Sequence, residues 1–459
     1  MDFLDRTAEL ARLNALAASP EGGLAVVHGR RRIGKTRLLL EWVHGNDGLY
    51  AVADLSSGGL QRRYLAEAIA TRLTGFAEVE YPDWRTLLDR LGREARARDW
   101  HGPVVLDELP YLVQASPELP SQLQRWLDHG AREAALVVAL AGSSQRMMQG
   151  LVLSPSEPLF GRAREVIRLG PLPPGETARA IGTRDPRRIV PFWAAWGGVP
   201  RYWELATALP GDETDRVDRL VLDPLGPLHE EPDRLLLEEV PPAIALRPIL
   251  DAVGGGAHRV SEIAGRIGSP ATSLSRPLAR LVEMELVQRE LPFGESERSS
   301  KRSLYRIADP FFRLWLRVVA PHRAVLVASG PEARRAVLQR YWPALLAGAW
   351  EDLCRAAVPA LVPGPWGPAA RWWRGAEPEW DVVAESVDGK RLLVGEAKWW
   401  SDRPPAQADL RRLARALRAR PLPPAGRERE VERVLFLPEG TGEVEGVRIV
   451  AGQEVLGLG

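Results

Sequence analysis

Two of the four lysines in this chain, which has 61 basic residues, stand where phosphate chemistry would call for one. Lys35 belongs to Gly29-Arg-Arg-Arg-Ile-Gly34-Lys35-Thr36, a complete G-x4-G-K-[ST] phosphate loop. Lys398 ends Val394-Gly-Glu396-Ala-Lys398, the E-x-K element of a metal site acting on phosphodiesters. A sequence that otherwise writes positive charge as arginine keeps a compact ammonium at both places. The two cations are not interchangeable beside a phosphate or a metal-bound water. Two chemical sites are therefore expected, near opposite ends of the polypeptide.

The first site reads as one for ATP and Mg²⁺. Glycines let the loop curl so that the N–H groups of Gly29, Arg30, Arg31, Arg32, Ile33 and Gly34 face the phosphates, with a helix N-terminus behind them. Lys35 is expected to bridge the β- and γ-phosphates and Thr36 to ligate Mg²⁺. Further on, Val104-Val105-Leu106-Asp107-Glu108 is an apolar strand ending in two carboxylates. Asp107 suits the surroundings of the Mg²⁺, and Glu108 suits activation of the attacking water. Another strand ends in Gly142-Ser143-Ser144, where Ser143 reads equally as a γ-phosphate sensor and as an ordinary helix cap. Arg162, in Pro158-Leu-Phe-Gly-Arg162, reads as an arginine finger, in cis or from a second copy in a homo-oligomer, or as a plain surface arginine.

The second site is built from strand-like runs around Glu379-Trp380-Asp381 and Arg391 to Lys398, joined by the hairpin signal Asp388-Gly389. Pairing them would bring Asp381 near Glu396, a hard-oxygen site for Mg²⁺, with Glu351 from an upstream helix completing the ligands. Lys398 shares the face of Glu396 because strands alternate with period two, and is placed to orient a metal-bound water or neutralise a scissile phosphate. Arg411, Arg415 and Arg418 follow on one side of a helix that suits a nucleic-acid backbone. The plainer alternative makes these carboxylates members of structural ion pairs. The pairs Trp372-Trp373 and Trp399-Trp400 read as core packing, with base stacking the alternative.

The elements that must position these residues divide the chain into four expected domains: 1–170, 171–235, 236–308 and 309–459. The first alternates apolar runs (Leu24–His28, Gly48–Ala53, Pro103–Asp107, Leu136–Ala141, Val166–Leu169) with amphipathic stretches, the pattern of parallel βαβ units. Prolines 171, 173, 174, 210, 224, 227 and 232 punctuate a helical second domain. The third shows apolar spacing at 260, 263, 264 and 267, a second helix opened by Ser269-Pro270, and two strand-like runs about a polar loop, the layout of a winged helix-turn-helix. Its nine basic residues face six acidic ones over 258–306, and Arg276, Arg280, Lys301 and Arg302 are the candidate DNA contacts. Protein packing is the competing role for this segment.

Composition excludes several classes. A net charge of +1 leaves any nucleic-acid surface to a local patch. One cysteine excludes an intrachain disulfide framework and a Cys-rich zinc module. No apolar run approaches the roughly 20 residues that span a bilayer, and the acidic start does not read as a signal peptide, so a cytoplasmic protein without membrane partners is expected.

Taken together these residues resemble the archaeal-type ATPases of the AAA+/STAND branch that also occur in bacteria. The resemblance rests on Phe3-Leu-Asp-Arg6 with Glu9-Leu10, the 29–36 loop, Leu106-Asp-Glu-Leu-Pro-Tyr-Leu112, Gly142-Ser-Ser144, Pro158-Leu-Phe-Gly-Arg162 and Gly197-Gly-Val-Pro-Arg-Tyr202. Tyr305 to Trp315 and the Glu379-Trp-Asp381 and Gly395-Glu-Ala-Lys-Trp399 segments resemble the uncharacterised domain often fused to such ATPases, itself similar to PD-(D/E)XK nucleases. Trp380 departs from the small apolar residue usual before the metal Asp. The resemblance implies an α/β protein: a parallel-sheet P-loop NTPase core with a helical lid, a winged helix-turn-helix and a C-terminal restriction-endonuclease-like domain. It also implies a nucleotide-switched ATPase, with Arg201 a second nucleotide sensor. A non-catalytic ATP-dependent regulator with a DNA- or protein-binding tail is the alternative function, and transcriptional regulation through the winged helix a third.

Overall fold

A computed structural model describes residues 3–143, 145–239, 246–296, 298, 302–375, 377–400, 405–426 and 428–458. The chain divides into two compact units, one of residues 1–172 and 199–201, the other of 173–198 and 202–459.

The first unit is built on five parallel strands: β1 (Gly23–His28), β2 (Leu49–Val52), β3 (Val104–Asp107), β4 (Val137–Gly142) and β5 (Ala163–Arg168), in the order β2-β3-β4-β1-β5. Every expected apolar run is a strand, displaced by a few residues at its ends. β3 and β4 are buried along their whole length, which is why they read as unbroken apolar sequence. One core of residues from β1, β3, β4 and the helices 58–70, 84–97 and 119–128 includes Trp84, Leu87, Leu91 and Trp126. The carboxyl ends of β1, β3 and β4 carry His28, Asp107 and Gly142, so the polar ends of these strands lie along one edge, where open α/β sheets bind ligands.

The second unit begins with helices Glu176–Ile181 and Pro186–Trp196. Further helices, Arg247–Gly254, Val260–Ile267 and Ser275–Glu283, precede an antiparallel pair, β6 (Val287–Glu290) and β7 (Leu304–Ile307). The second expected helix of this segment opens as a 3-10 turn, Ala271–Leu274, with Ser273 Oγ donating to the Pro270 carbonyl at 2.7 Å. A helix of 27 residues, Pro331–Ala357, leads to a six-stranded mixed sheet. Its strands are β8 (Ala370–Trp372), β9 (Trp380–Glu385), β10 (Arg391–Ala397), β11 (Glu430–Leu437), β12 (Glu443–Val444) and β13 (Val447–Ala451), ordered β12-β13-β11-β10-β9-β8. β9 and β10 form the expected antiparallel hairpin, closed through Gly389 at φ 72°, a left-handed conformation glycine takes without penalty. The helix Gln407–Ala419 then crosses over so that β11 lies parallel to β10. Among the described residues no helix is long and apolar enough to cross a membrane.

Candidate functional site

The phosphate loop leaves β1 at His28 and enters the helix Lys35–Gly45, the strand–loop–helix setting its sequence required. A side chain at Gly29 would run into the Leu169 carbonyl, and Gly34 sits at φ 95°, so both glycines are needed for the curve. Lys35 is buried, its Nζ donating to the carbonyls of Gly29 at 2.7 Å and Arg30 at 3.1 Å. The Lys35 side chain is thus folded over the loop that carries it. Arg31 Nη2 lies 3.4 Å from the Tyr111 hydroxyl. Arg6, a residue outside the loop, donates to the carbonyls of Ile33 at 3.2 Å and Gly170 at 2.6 Å, bracing the loop against the end of β5.

Thr36 and Asp107 meet: Thr36 Oγ1 donates to Asp107 Oδ2 at 3.0 Å. Asp107 is 2% exposed, and its other oxygen accepts from the Glu108 N–H at 2.8 Å. Tyr50 of β2 donates to Asp107 Oδ2 at 2.6 Å, a contact that no local sequence pattern marks. Burial, then the hydrogen bond to Asp107, raises the Tyr50 pKa, so the phenol stays a donor. Glu108 stands at φ 55° and accepts from Ser143 Oγ at 2.5 Å and the Ser143 N–H at 3.2 Å. Burial, with Arg168 and Lys35 nearby, lowers the His28 pKa and keeps that imidazole neutral at the loop entrance. A buried carboxylate beside a threonine hydroxyl, next to an ammonium and a helix N-terminus, has the donor set that a divalent cation and a polyphosphate share.

Two further residues were expected at this site. Arg162 forms a two-pronged ion pair with Asp128, at 2.9 Å from each oxygen, and donates to the Pro158 carbonyl at 2.7 Å. Arg201 is exposed, one residue after Pro200, whose ring faces Gly34. Ser144 lies outside the described residues.

In the second unit the β9–β10 register pairs Val382 with Gly395, which sets Asp381 opposite Glu396. Asp381 Oδ2 accepts from the Ala397 N–H at 3.0 Å. Burial, then the charge of Glu396, raises the Asp381 pKa. Burial, then Asp381, raises that of Glu351, so these three carboxylates share one electrostatic neighbourhood. Glu396 shows the reverse: burial pushes it up, but Lys398 and Arg420 draw its pKa below the usual value. Lys398 Nζ lies 2.6 Å from Glu396 Oε1, on the face expected from strand alternation, and Arg420 donates to Oε2. Among the described residues no group of three or more His, Cys, Asp or Glu side chains is arranged to hold a metal ion. Arg420 is the member the sequence did not suggest. Its guanidinium lies 4.9 Å from the centre of the Trp380 ring, and its Nη1 also donates to the Glu379 carbonyl at 2.6 Å. Trp380 is fully buried, with Nε1 donating to Pro421 O at 2.9 Å, so its bulk forms the floor beneath Arg420.

Beside Glu351, Asp352 gathers Arg306, Arg313 and Arg355, which outweigh its burial and hold its carboxyl far below the carboxylate range. Of the expected nucleic-acid contacts, Arg276 is exposed. Arg280 is half-buried with Nη2 lacking a hydrogen-bond partner, Arg302 pairs with Glu295, and Lys301 lies outside the described residues. Arg415 grips Glu445 with bonds of 2.8 Å and Arg418 donates to its carbonyl at 3.1 Å, so two arginines of the crossover helix hold the β12–β13 turn. Trp372 and Trp373 are buried, and Trp399 packs 5.7 Å from Trp350, as core packing requires.

Residues 3–202 match the model of an ATPase domain found predominantly in Archaea. This part of the chain is thus similar to archaeal-type ATPase domains. Residues 315–409 match a domain of archaeal and bacterial proteins of unknown function. An uncharacterized protein of Methanocaldococcus jannaschii is 28% identical over 411 residues, covering 86% of this chain and 87% of its own. The Walker-type ATPase PABY2304 of Pyrococcus abyssi superposes with a TM-score of 0.52 at 20% identity, over 69% of this chain and 97% of that one. The ORC2 protein of Aeropyrum pernix, in its ADPNP–ADP complexes, gives a TM-score of 0.47 at 14% identity, over 73% and 95%. The first of these superpositions places the parallel sheet of the ATPase domain among P-loop ATPase folds.

Proposed function

We propose that the chain is an ATP-hydrolysing switch whose nucleotide state governs DNA binding and Mg²⁺-dependent DNA cleavage by its C-terminal part. In this reading 1–170 is the ATPase core and 171–235 a helical lid. Residues 236–308 are a winged helix-turn-helix, and 309–459 a connector with a PD-(D/E)XK nuclease-like domain. Lys35 and the amides of 29–34 hold the β- and γ-phosphates, and Thr36 and Asp107 hold the cation side. Glu108 takes the proton of the attacking water, and Ser143 fixes the rotamer in which it does so. Mg²⁺, when bound, neutralises charge on the β- and γ-phosphate oxygens.

The observation that carries the nuclease part is the meeting of Asp381, Glu396 and Lys398 at the end of one hairpin, beside Glu351. Asp381, Glu396 and Glu351 would hold a divalent cation, whose charge would offset the burial and mutual repulsion that raise the Asp381 and Glu351 pKa values. Lys398 then faces the scissile phosphate, and the carboxylates orient the water that attacks it.

A second reading, a non-catalytic regulator, draws on the grip of Lys398 and Arg420 on Glu396, which is that of a structural ion pair. Lys398→Ala separates the two. We expect phosphate release from ATP unchanged and Mg²⁺-dependent nicking of supercoiled DNA lost. Loss of ATP hydrolysis in that variant would contradict two independent sites, and nicking at the wild-type rate would remove Lys398 from the chemistry.

A further inference from the structure

We propose that Tyr50 is a positioning residue of the ATPase: its hydroxyl fixes the rotation of the Asp107 carboxylate, so that Asp107 and Thr36 present themselves together to the nucleotide-bound cation. The inference rests on the reading of Thr36 and Asp107 as the cation side of the site.

Asp107 is held from three directions by three different elements. The helix after the phosphate loop supplies Thr36 Oγ1 to Oδ2, the backbone beyond β3 supplies the Glu108 N–H to Oδ1, and the edge strand β2 supplies Tyr50 Oη to Oδ2. Of these the Tyr50 bond is the shortest, at 2.6 Å. The Glu108 bond is local and comes with the turn. Thr36 has a second task, because its oxygen must turn to the cation. The Tyr50 hydroxyl touches both residues, Asp107 and the Thr36 side chain, and has no task of its own in the chemistry.

The register explains how it reaches. In the parallel β2–β3 pair Val52 lies opposite Asp107 and Tyr50 opposite Val105, so Tyr50 starts two residues below the carboxylate and its ring spans the distance. A shorter donor at position 50 would fall short, and a phenylalanine would fill the space without the bond. A plainer account is that a half-buried phenol simply takes the nearest acceptor. That account predicts a cost in folding and none in cation affinity.

Residues that hold a ligand in place, without touching the metal, commonly change metal affinity by about 10- to 100-fold when altered. Because Asp107 retains two other donors, the lower end is expected here. The experiment uses the full chain as wild type, Tyr50→Phe and Asp107→Asn, each saturated with ADP and titrated with Mn²⁺ while free Mn²⁺ is read by electron paramagnetic resonance. Tyr50→Phe should bind Mn²⁺ about tenfold more weakly. ADP affinity in EDTA should stay at the wild-type value, and the Mg²⁺ needed for half-maximal phosphate release should rise in step. Wild-type Mn²⁺ affinity in Tyr50→Phe overturns the proposal, as does an equal loss of ADP affinity in EDTA, which marks a merely structural residue. If Asp107→Asn binds Mn²⁺ like wild type, the cation-side reading of Asp107 itself fails. If Asp107→Asn is weakened and Tyr50→Phe is not, only the role of Tyr50 falls.

Discussion

Replacing Lys35 by alanine is expected to reduce ATP hydrolysis by about 100- to 1,000-fold, the usual cost of removing one preorganised group aimed at developing charge. The side chain is buried and its Nζ rests on the carbonyls of Gly29 and Arg30, so the ammonium is already in the loop before any phosphate arrives. A polyphosphate offers it charged acceptors. Hydrogen bonds to charged groups contribute about 1.5–3 kcal/mol, so nucleotide affinity should fall by roughly 10- to 100-fold as well. Arg30, Arg31 and Arg32 are not substitutes, because a planar fork on a different backbone atom cannot reproduce a point charge folded over the loop. For the same reason Lys35→Arg should not restore turnover. Phosphate release and nucleotide binding, measured together, check this. Turnover near wild type in Lys35→Ala would show that the loop is not the hydrolytic site.

Glu108→Gln should separate binding from chemistry. The substitution preserves shape and one oxygen for Ser143, but replaces the other oxygen with an amino group that donates where an acceptor is needed. ATP should bind at wild-type affinity, while the hydrolytic step slows by about 100- to 10,000-fold, the range general-base catalysis supplies. Single-turnover hydrolysis beside equilibrium nucleotide binding gives both numbers. Hydrolysis at the normal rate would assign water activation to another group.

Much of this was legible in the amino-acid sequence, for identifiable reasons. The loop, the Asp107-Glu108 strand end and the β9–β10 hairpin are local patterns, in which glycine, period-two alternation and the Asp388-Gly389 turn each carry their own physics. Strands buried on both faces, such as β3 and β4, announce themselves as apolar runs. What the sequence hid are contacts between distant residues that no local pattern marks. Tyr50 reaches Asp107 across 57 positions, and Arg420 reaches Glu396 across 24. The acidic partners of surface arginines were hidden in the same way: Arg162 pairs with Asp128, Arg415 with Glu445 and Arg302 with Glu295. In an arginine-rich chain, positive residues on one helix face say little about nucleic acid until their acidic partners are located. Trp380 carries the same lesson in reverse. A bulky residue that looked wrong for a metal site is buried and supports the guanidinium that caps Glu396.

In the proposed function, nucleotide state at the phosphate loop governs cleavage by the carboxylate site of the six-stranded sheet. Its most direct test is Mg²⁺-dependent nicking of supercoiled and single-stranded DNA by the full chain, with and without ATP, beside Asp381→Ala. Nicking should change in rate on adding ATP and disappear in Asp381→Ala, while that variant hydrolyses ATP normally. DNA bound but left intact by the wild type, or nicking that survives in Asp381→Ala, would contradict it.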